Sequence, residues 1–540
     1  MKLNPLTCID FYKADHRRQY PEGTTLVYSN FTPRSDKLCT IPADVYDGTV
    51  TFFGLQYFVK HFLVDAWNQE FFGKPKAEVV AKYKRRMDTS LGVGAIPVEH
   101  IESLHDLGYL PICIKALPEG CRVPIKVPVL VIYNTHPDFF WLTNYLETIL
   151  SCYLWKPMTS ATVAHHYRIL LERFAEETGA DKGFVNFQAH DFSFRGMSGP
   201  EDAALSGAGH LASFCGTDSV PAIDLIEDYY NGDAEKELIG CSVPATEHSV
   251  ISMGSREGEL ETFRRLITQL YPAGIVSIVS DTWDFWKVVT EYAVALKPEI
   301  LAREGKLVFR PDSGDPVKII CGEAYKVDDS RELDLESIQI VVQAGYTHLE
   351  HRGTFYAVSH AQDYNDGIPF VCEPVEPTPA LKGAVQCLWE VFGGTMTEKA
   401  FKVLDSHVGL IYGDSITLAR AKAILEGLKA KGFASSNVVF GIGSYTYQYA
   451  TRDTFGFAVK STYGEVNGVG REIYKDPKTD DGVKKSARGL IKVTNGAGGY
   501  CLVDRQAGVD EADCCLRPVF RDGKLLIDDS ISEIRKRVAA

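Results

Sequence analysis

The 540-residue sequence lacks an apolar run long enough to span a bilayer, and its first residues, MKLNPLTCIDFYK, lack the hydrophobic region of a signal peptide. It also lacks a Lys/Arg-rich run, and its 57 basic against 71 acidic residues give a net charge of −14. These absences argue against a membrane protein and against a nucleic-acid partner, although a few local cations could still hold a small anionic substrate. We therefore expect a cytoplasmic protein.

Cysteine pairs with metal-binding or redox spacing are also absent. The 13 cysteines are scattered from Cys8 to Cys515 without a CxxC pair, and several lie among apolar neighbours. The odd number and the scatter favour reduced thiols. Neither the HLEH segment nor the adjacent His165 and His166 is accompanied by a further pair at zinc-ligand spacing, so we expect no structural zinc.

The composition of the chain is typical of an ordinary globular protein. With 45% apolar and 24% charged residues, a chain of this length is expected to form two or three domains. Residues 1–156 mix apparent helices with short β-like runs, which predicts a mixed α+β region. An amphipathic helix follows from 157 to the residue before Gly179, and a second helical run covers 200–214.

Four short apolar runs in the second half end abruptly in polar or glycine clusters. They are GIVSIVSD (274–281), KLVFRPDSGDP (306–316), VGLIYGDS (408–415) and NVVFGIGS (437–444). Because they alternate with helical stretches, notably at 283–297 and 416–431, they predict parallel βα units. The fold class is therefore α/β, either a βα-barrel or an open sheet. An acidic and then Pro/Gly-rich excursion at 318–405 interrupts the rhythm.

Three aspartates, Asp281, Asp312 and Asp414, directly follow predicted strands. Both βα-barrels and open α/β sheets place their chemistry at the carboxyl ends of strands, so we expect the site there. Arg310 could hold a phosphate in a bidentate manner, and Asp312 could bind a ribose hydroxyl or a divalent metal such as Mg²⁺. The alternative is a turn in which Asp and Ser cap a helix.

Three further segments carry polar groups of functional interest. GIGS at 441–444 could bind an anion at a helix N-terminus, but it is neither a Walker A nor a GxGxxG sequence, which disfavours a P-loop NTPase and a Rossmann domain. In HDFSFRG (190–196) the two phenylalanines alternate as core residues would, whereas Arg195 between them needs an anionic partner. Glu247 beside His248 is either a catalytic carboxylate–histidine pair or an ordinary surface pair.

Taken together and in chain order, these segments resemble the nicotinamide phosphoribosyltransferase family. The segments that carry the resemblance are DFYKADHRRQYP (10–21), TPRSDK (32–37), FFGLQY (52–57), GYLPICIKALPEG (108–120), WLTNYLETIL (141–150), HDFSFRG, GTDS (216–219), PATEHS (244–249), VSDTWD (279–284), RPDSGDP (310–316), GDSI (413–416), FGIGS (440–444), TRD (451–453) and YKDP (474–477). The resemblance runs from about residue 8 to residue 535, and the long 318–405 excursion is similar to the bacterial and phage branch.

The resemblance implies transfer of phosphoribose from phosphoribosyl pyrophosphate to nicotinamide, with Mg²⁺ as cofactor and ATP as coupling substrate. It also implies an irregular βα-barrel at 157–455 that carries the excursion. The α+β region at 1–156 would contribute to the dimer interface and to the pocket for the nicotinamide ring. An α+β segment at 456–540 would return to the region at 1–156. The other phosphoribosyltransferase class would require an Asp-Asp pair directly after a buried strand. Neither Asp-Asp pair of this chain follows such a strand.

Residue roles follow from the resemblance. Tyr12 of a second subunit and Phe192 would sandwich the nicotinamide ring. Arg195 and Asp218 would flank the ring, and the Asp218 carboxylate would accept the carboxamide N–H. The residues that would grip ribose and phosphate or line that pocket are Ser277, Asp281, Arg310, Asp312, Asp414, Gly443 and Ser444. The basic residues of the second subunit that would hold phosphate and pyrophosphate are Arg34, Arg452, Lys460, Lys475 and either Lys484 or Lys485.

His248, with Glu247 beside it, matches the family's phosphorylated histidine, and Asp312 is the expected Mg²⁺ ligand. The active unit would be a homodimer with shared sites. A nicotinate phosphoribosyltransferase is the enzymatic alternative, and Asp218 argues against it because two carboxylates would repel each other. A non-catalytic binding or signalling relative is the other alternative, which the complete set of site residues disfavours.

Overall fold

A six-stranded parallel sheet forms the centre of the molecule in the computed structural model, which describes residues 3–360, 370–474, 487–508 and 513–540. The strands are β1 (Ala189–Asp191), β2 (Gly216–Thr217), β3 (Ala273–Val279), β4 (Glu304–Arg310), β5 (Val408–Tyr412) and β6 (Val438–Ile442). Their spatial order is β2-β1-β6-β5-β4-β3, and every neighbouring pair is parallel. The four strands predicted from the apolar runs are confirmed as β3 to β6.

The segment 241–246 hydrogen bonds with both edges of this sheet. At one edge the Thr217 N–H donates to the Cys241 carbonyl, and at the other the Thr246 N–H donates to the Ser277 carbonyl, both at 3.0 Å. Parallel bridges join Gly216 to Cys241 and Ala245 to Ser277. The sheet therefore curls on itself into an irregular barrel, so the carboxyl ends of all six strands face one side.

Helices pack around the barrel. In the part of the chain that the structure describes, the α-helices of eight or more residues are Lys76–Leu91, Glu99–Leu107, Glu147–Thr178, Pro200–Leu211, Val220–Tyr229, Leu335–Gln343, Ala384–Phe392, Leu418–Ala430 and Ile531–Val538, and a π-helix covers Phe58–Ala66. The runs predicted at 200–214 and 416–431 are confirmed. Among the described residues, no helix combines the length and the apolar character needed to cross a membrane.

The helix predicted to begin at 157 begins ten residues earlier, at Glu147, and contains Pro157. Proline normally ends a helix because it lacks an N–H and crowds the preceding turn. Here the Pro157 ring packs on Gly54, where a Cβ would lie only 2.6 Å from its Cγ. The predicted end is confirmed, since Gly179 follows the helix with a φ of 67°, the left-handed conformation that glycine adopts readily.

Both ends of the chain contribute to a seven-stranded antiparallel sheet. In spatial order its strands are Val469–Glu472, Ala458–Val466, Thr24–Thr32, Leu130–Asn134, Ile112–Ala116, Arg517–Arg521 and Lys524–Leu525. Every neighbouring pair is antiparallel. Smaller two-stranded sheets pair Thr49–Thr51 with Arg122–Pro124 and Leu490–Gly496 with Gly499–Gln506.

The excursion between β4 and β5 has a small sheet of its own. The strands Ala324–Lys326, His348–His351, Thr354–His360 and Phe370–Val375 pair in that order, with the helix Leu335–Gln343 between the first two. A separate apolar cluster lies beneath them, formed by Val327, Val341 and Leu349. The strand pair Gly394–Met396 and Lys402–Leu404 leads back to the barrel.

Candidate active site

A cavity of about 880 Å³ opens at the carboxyl ends of the parallel strands. Its lining residues are Phe192, Phe194, Arg195, Asp218, Ser219, Glu247, His248, Arg310, Asp312, Gly413, Asp414, Gly443 and Ser444. The structure thus brings together most of the site residues predicted for one chain, although they are spread over 250 positions of the sequence. A large polar cavity at this end of a barrel is the default location of an active site.

Three acidic residues reach this end of the barrel by the same local geometry. Asp281, Asp312 and Asp414 each lie two residues after the last residue of a strand, namely Val279 of β3, Arg310 of β4 and Tyr412 of β5. Because these strands are adjacent and parallel, equal offsets place the carboxylates side by side.

Phe192 forms one wall of the cavity directly after β1. Its N–H donates to the Ile442 carbonyl at 2.8 Å, which fixes the backbone against β6. Gly441 of β6 makes room for the ring, since a Cβ there would lie 2.6 Å from Phe192 Cδ2. Phe194, for which we expected core packing, is instead 41% exposed and lines the cavity, because a short helical turn (Phe194–Gly196) replaces the expected strand.

The Asp218 carboxylate follows β2 and is held by two donors. His190 Nε2 lies 2.9 Å from Oδ1, and the Ser242 hydroxyl donates to the same oxygen. Burial raises the pKa of Asp218, but these hydrogen bonds and the nearby Arg310 charge outweigh it and lower the pKa below its ordinary value. Asp218 is therefore an anion whose Oδ2 is available to a ligand. No sequence pattern singles out His190 or Ser242 for this contact.

Arg310 is the main cationic group of the cavity wall. One of its terminal nitrogens donates to the Thr246 carbonyl, while its buried Nε has no hydrogen-bond partner among the described residues. Burial lowers the pKa of Arg310, and the charges of Asp312, Asp218 and Asp281 oppose that effect. A guanidinium with an unused buried donor is suited to an anionic ligand.

His248 is held between a hydroxyl and two carboxylates. Nδ1 lies 3.1 Å from Thr282 Oγ1, and Nε2 lies 3.2 Å from Asp312 Oδ1 and 3.8 Å from Asp281 Oδ1. The expected pairing with Glu247 is wrong, because Glu247 accepts a hydrogen bond from Ser249. Glu247 has an extended backbone just before the helix that starts at His248. The carboxylates beside the imidazole are those of Asp281 and Asp312.

Asp281 organises the loop after β4. Its Oδ2 accepts the N–H groups of Asp312 and Ser313, both at 2.9 Å. Its Oδ1 is buried without a hydrogen-bond partner among the described residues. Ligand atoms of Asp281, Asp312 and His248 all lie within 4.8 Å of one another. Two carboxylates, one of them with an unpaired buried oxygen, fit a hard divalent cation such as Mg²⁺.

Comparison with known proteins identifies the family to which this chain belongs. Residues 187–524 match the model of the nicotinate phosphoribosyltransferase (NAPRTase) family, and residues 4–84 match the N-terminal domain of nicotinamide phosphoribosyltransferase. The chain belongs to the nicotinate phosphoribosyltransferase family. It is therefore a phosphoribosyltransferase, an enzyme of the pentosyltransferase class, and the non-catalytic alternative is set aside.

Individual relatives are similar to this chain over its whole length. A protein of Acinetobacter baylyi named nicotinamide phosphoribosyltransferase is 57% identical over 544 residues, covering 100% of this chain and 97% of that protein. One of Xanthomonas campestris with the same name is 31% identical, covering 99% and 98%. The crystal structure of human nicotinic acid phosphoribosyltransferase has a TM-score of 0.51 at 16% identity, covering 98% and 92%, which confirms the barrel-type fold.

Of three further predicted residues, Gly443 and Ser444 line the cavity and Ser277 does not. Ser277 is buried within β3, where it hydrogen bonds through its backbone with the segment 241–246, and it does not line the cavity. Gly443 and Ser444 do line it, but the helix after them is the single turn Ser444–Tyr447. Binding of an anion by the backbone N–H groups at this helix N-terminus stays a prediction, and a single turn would contribute only a small dipole to it.

The residues assigned to a second subunit do not line the cavity of their own chain, as far as the described residues extend. Tyr12 is 60% exposed in the short helix Phe11–Asp15, and Lys460 lies in a strand of the seven-stranded sheet. Arg34 is half-buried, and burial together with the neighbouring charge of Arg452 lowers its pKa. The predicted Lys475, Lys484 and Lys485 lie outside the described residues.

Proposed function

We propose that the chain is a nicotinamide phosphoribosyltransferase, which transfers phosphoribose from phosphoribosyl pyrophosphate to nicotinamide and releases nicotinamide mononucleotide (NMN) and pyrophosphate. Asp218 in the cavity wall carries this proposal. Its Oδ1 is saturated by His190 and Ser242, so Oδ2 can accept the carboxamide N–H of nicotinamide. The relatives of the same name, at 57% and 31% identity, support the same substrate.

The other cavity residues suit the remaining parts of the two substrates. Phe192 offers an aromatic face for the pyridine ring, with Arg195 beside it. Arg310, with its unused Nε, would bind phosphate, and Asp414 would bind ribose hydroxyls. The reaction passes through an oxocarbenium-like state while charge grows on the pyrophosphate. It therefore benefits from fixed carboxylates near the sugar and from cations near the leaving group.

Mg²⁺ would be held by Asp281 and Asp312. The unpaired buried Oδ1 of Asp281 supports this assignment, and it extends the sequence-based expectation, which named Asp312 alone as the ligand. The bound cation would neutralise phosphate charge. The chain contributes the rigid placement of both carboxylates, since Asp281 Oδ2 fixes the backbone N–H of Asp312 itself.

His248 would accept a phosphoryl group from ATP. A ring nitrogen would attack the γ-phosphorus, the bond to ADP would break, and hydrolysis of the phosphohistidine would drive the synthesis. Thr282 Oγ1 lies beside Nδ1 and Asp312 Oδ1 beside Nε2, with Asp281 Oδ1 3.8 Å from Nε2, so the imidazole is held in one orientation at the cavity wall. A phosphate on His248 would therefore lie beside the residues proposed to hold Mg²⁺.

The active unit would be a homodimer. Tyr12 and Arg452 are exposed and carry chemistry that the cavity needs, namely a second aromatic face and a cation, yet they do not line the cavity of their own chain. A second copy of the chain would bring them to it.

Nicotinate is the alternative substrate, favoured by the name of the family whose model matches residues 187–524. The test is to incubate the purified protein with nicotinamide or nicotinate, phosphoribosyl pyrophosphate and Mg²⁺, with and without ATP, and to identify the mononucleotide by mass. Preferential formation of the nicotinamide product supports the proposal, and preferential formation of nicotinate mononucleotide would replace it.

A further inference from the structure

His210 and Tyr447 form a buried hydrogen-bonded pair close to the candidate active site. Both side chains are almost fully buried, and neither lines the cavity. His210 Nδ1 lies 2.6 Å from the Tyr447 hydroxyl oxygen, and Nε2 lies 3.0 Å from the Gly216 carbonyl oxygen. Gly216 begins β2, the strand that leads to Asp218. The imidazole of His210 therefore connects Tyr447 with the strand that carries the proposed carboxamide acceptor.

The groups around His210 decide which ring nitrogen carries the proton. A backbone carbonyl only accepts hydrogen bonds, so Nε2 must donate to Gly216. Burial lowers the pKa of His210 to about 4, although the nearby Asp191 opposes this effect, so the ring is neutral near pH 7. A neutral imidazole has a single N–H, and Nδ1 therefore accepts its hydrogen bond from the Tyr447 hydroxyl. Burial raises the pKa of Tyr447, which keeps this hydroxyl protonated.

The Gly216 backbone supports the side chains that hold Asp218. Gly216 pairs with His190 of β1, and a Cβ on Gly216 would lie 2.9 Å from His190 Nδ1. The other nitrogen of the same ring, Nε2, lies 2.9 Å from Asp218 Oδ1. The position of the Gly216 backbone therefore limits where the His190 ring and the Asp218 carboxylate can lie.

Tyr447 belongs to the part of the chain that is expected to contact phosphate. It ends the helical turn Ser444–Tyr447, and the cavity-lining Gly443 and Ser444 lie at the start of this turn. The Tyr447 hydroxyl reaches from the turn to His210, and His210 reaches β2 through its other nitrogen. Two hydrogen bonds in series thus join the turn at the predicted phosphate site to the strand before Asp218.

We propose that His210 and Tyr447 are positioning residues that hold the Asp218 carboxylate in the orientation that selects nicotinamide. This inference rests on the proposed function, because it assumes that Asp218 accepts the carboxamide N–H. Loss of the Tyr447 hydroxyl would let the imidazole proton move to Nδ1. Nε2 and the Gly216 carbonyl would then be two acceptors that face each other, and β2 would lose a hydrogen bond. Displacement of β2 would lower specificity, since polar contacts depend steeply on distance and angle.

Tyr447→Phe tests this role, because it removes one hydroxyl and keeps the ring. We expect the preference for nicotinamide over nicotinate, measured as the ratio of kcat/KM values, to fall about threefold to tenfold. Both substrates are assayed with one preparation, so a lower fraction of folded enzyme does not change this ratio. Tyr167→Phe is the matched control. Its buried hydroxyl lies 3.1 Å from Thr446 Oγ1 of the same turn and 3.3 Å from the Ile416 carbonyl after β5, and its loss should leave the ratio unchanged.

Further variants test whether the effect passes through Asp218 and His210. In the Asp218→Asn background, Tyr447→Phe should change the ratio little further, because the positioned carboxylate is already lost. His210→Gln keeps an N–H that can reach the Gly216 carbonyl and should retain most of the preference. His210→Leu has no such donor and should lower the preference about as much as Tyr447→Phe.

An unchanged ratio in Tyr447→Phe, when Asp218→Asn lowers it, would overturn this inference and leave the proposed function in place. A fully additive effect of Tyr447→Phe in the Asp218→Asn background would also overturn it. If Tyr447→Phe does not fold, equal ratios for His210→Gln and His210→Leu would have the same consequence. A wild type that prefers nicotinate would instead refute the proposed function, and this inference with it.

Discussion

At the scale of single residues, the carboxylates of the cavity differ in their hydrogen-bond partners. Asp218 is bonded to His190 and Ser242, which keeps it ionised and leaves one oxygen for a ligand. Asp281 binds backbone N–H groups with one oxygen and leaves the other unpaired next to Asp312 and His248. One residue type is therefore proposed to serve substrate recognition at one wall and cation binding at another.

Asp218→Asn tests the recognition assignment. An amide at this position removes the charge that repels nicotinate and replaces an acceptor by a group that can also donate. We expect the preference for nicotinamide over nicotinate to fall by roughly 1–3 kcal/mol, the scale of one mismatched polar contact. The measurement is the ratio of kcat/KM values for the two substrates, with Asp106→Asn as the surface control. An unchanged ratio would show that Asp218 does not select the substrate.

His248→Ala tests the proposed coupling to ATP. The variant should lose ATP hydrolysis and ATP stimulation, whereas a slow ATP-independent transfer should persist because Phe192, Asp218 and Arg310 are untouched. The measurement is acid-labile, base-stable incorporation of ³²P from γ-labelled ATP. His348→Ala, which lies in the excursion, is the matched control and should label normally. Equal labelling of His248→Ala and wild type would place the phosphorylation on another residue.

At the scale of elements, β6 shapes the ring pocket through a residue that has no side chain. Gly441 leaves room for the Phe192 ring, and a Cβ there would also meet the Tyr412 carbonyl of β5 at 2.8 Å. The backbone carbonyl cannot move without shifting a strand, so the Phe192 ring would have to give way to a Cβ at this position. The place of Phe192 in the cavity wall therefore depends on the identity of a residue in a neighbouring strand.

Gly441→Ala should displace the Phe192 ring and raise KM for nicotinamide about tenfold or more, with a smaller effect on KM for phosphoribosyl pyrophosphate, because that substrate uses other walls. Steady-state kinetics with each substrate varied in turn measures the difference. Gly409→Ala in β5 is the matched control, since its Cβ would meet only side-chain atoms, Lys306 Cδ at 3.1 Å and Val308 Cγ2 at 3.4 Å. Equal effects of the two substitutions would contradict the assigned role of Gly441.

At the scale of the whole molecule, the two ends of the chain form one sheet beside the barrel. The strand Thr24–Thr32 pairs with Ala458–Val466, so segments more than 400 residues apart fold as one unit. This sheet carries Lys460, and Arg34 follows its strand closely. A dimer that places this unit over the barrel opening of the other copy would complete both cavities.

Subunit complementation tests the shared site. Tyr12→Ala and Asp312→Ala proteins should each be nearly inactive, whereas a mixture that exchanges subunits should regain activity. Some mixed dimers then contain one site with an intact Asp312 from one chain and an intact Tyr12 from the other. Mixing Asp281→Ala with Asp312→Ala is the control, because each site then keeps one damaged residue. If subunits exchange and the first mixture stays inactive, the two residues do not serve a shared site.

The sequence by itself determined the parallel strands, the fold class and the position of the polar residues after each strand. Strand length, helix alternation and abrupt polar endings are local properties, so β3 to β6 and the aspartates that follow them could be predicted. The resemblance of many short segments in order also indicated the family that the comparisons then confirmed.

Only the tertiary structure decided which of these groups face one another. The strands lie in the order β2-β1-β6-β5-β4-β3, which no local pattern records. That order places His248 beside Asp281 and Asp312 and not beside the adjacent Glu247, and it brings His190 and Ser242 to Asp218. Local periodicity reflects the backbone alone, whereas hydrogen-bond partners, burial and the field of a charge depend on neighbours that are distant in sequence.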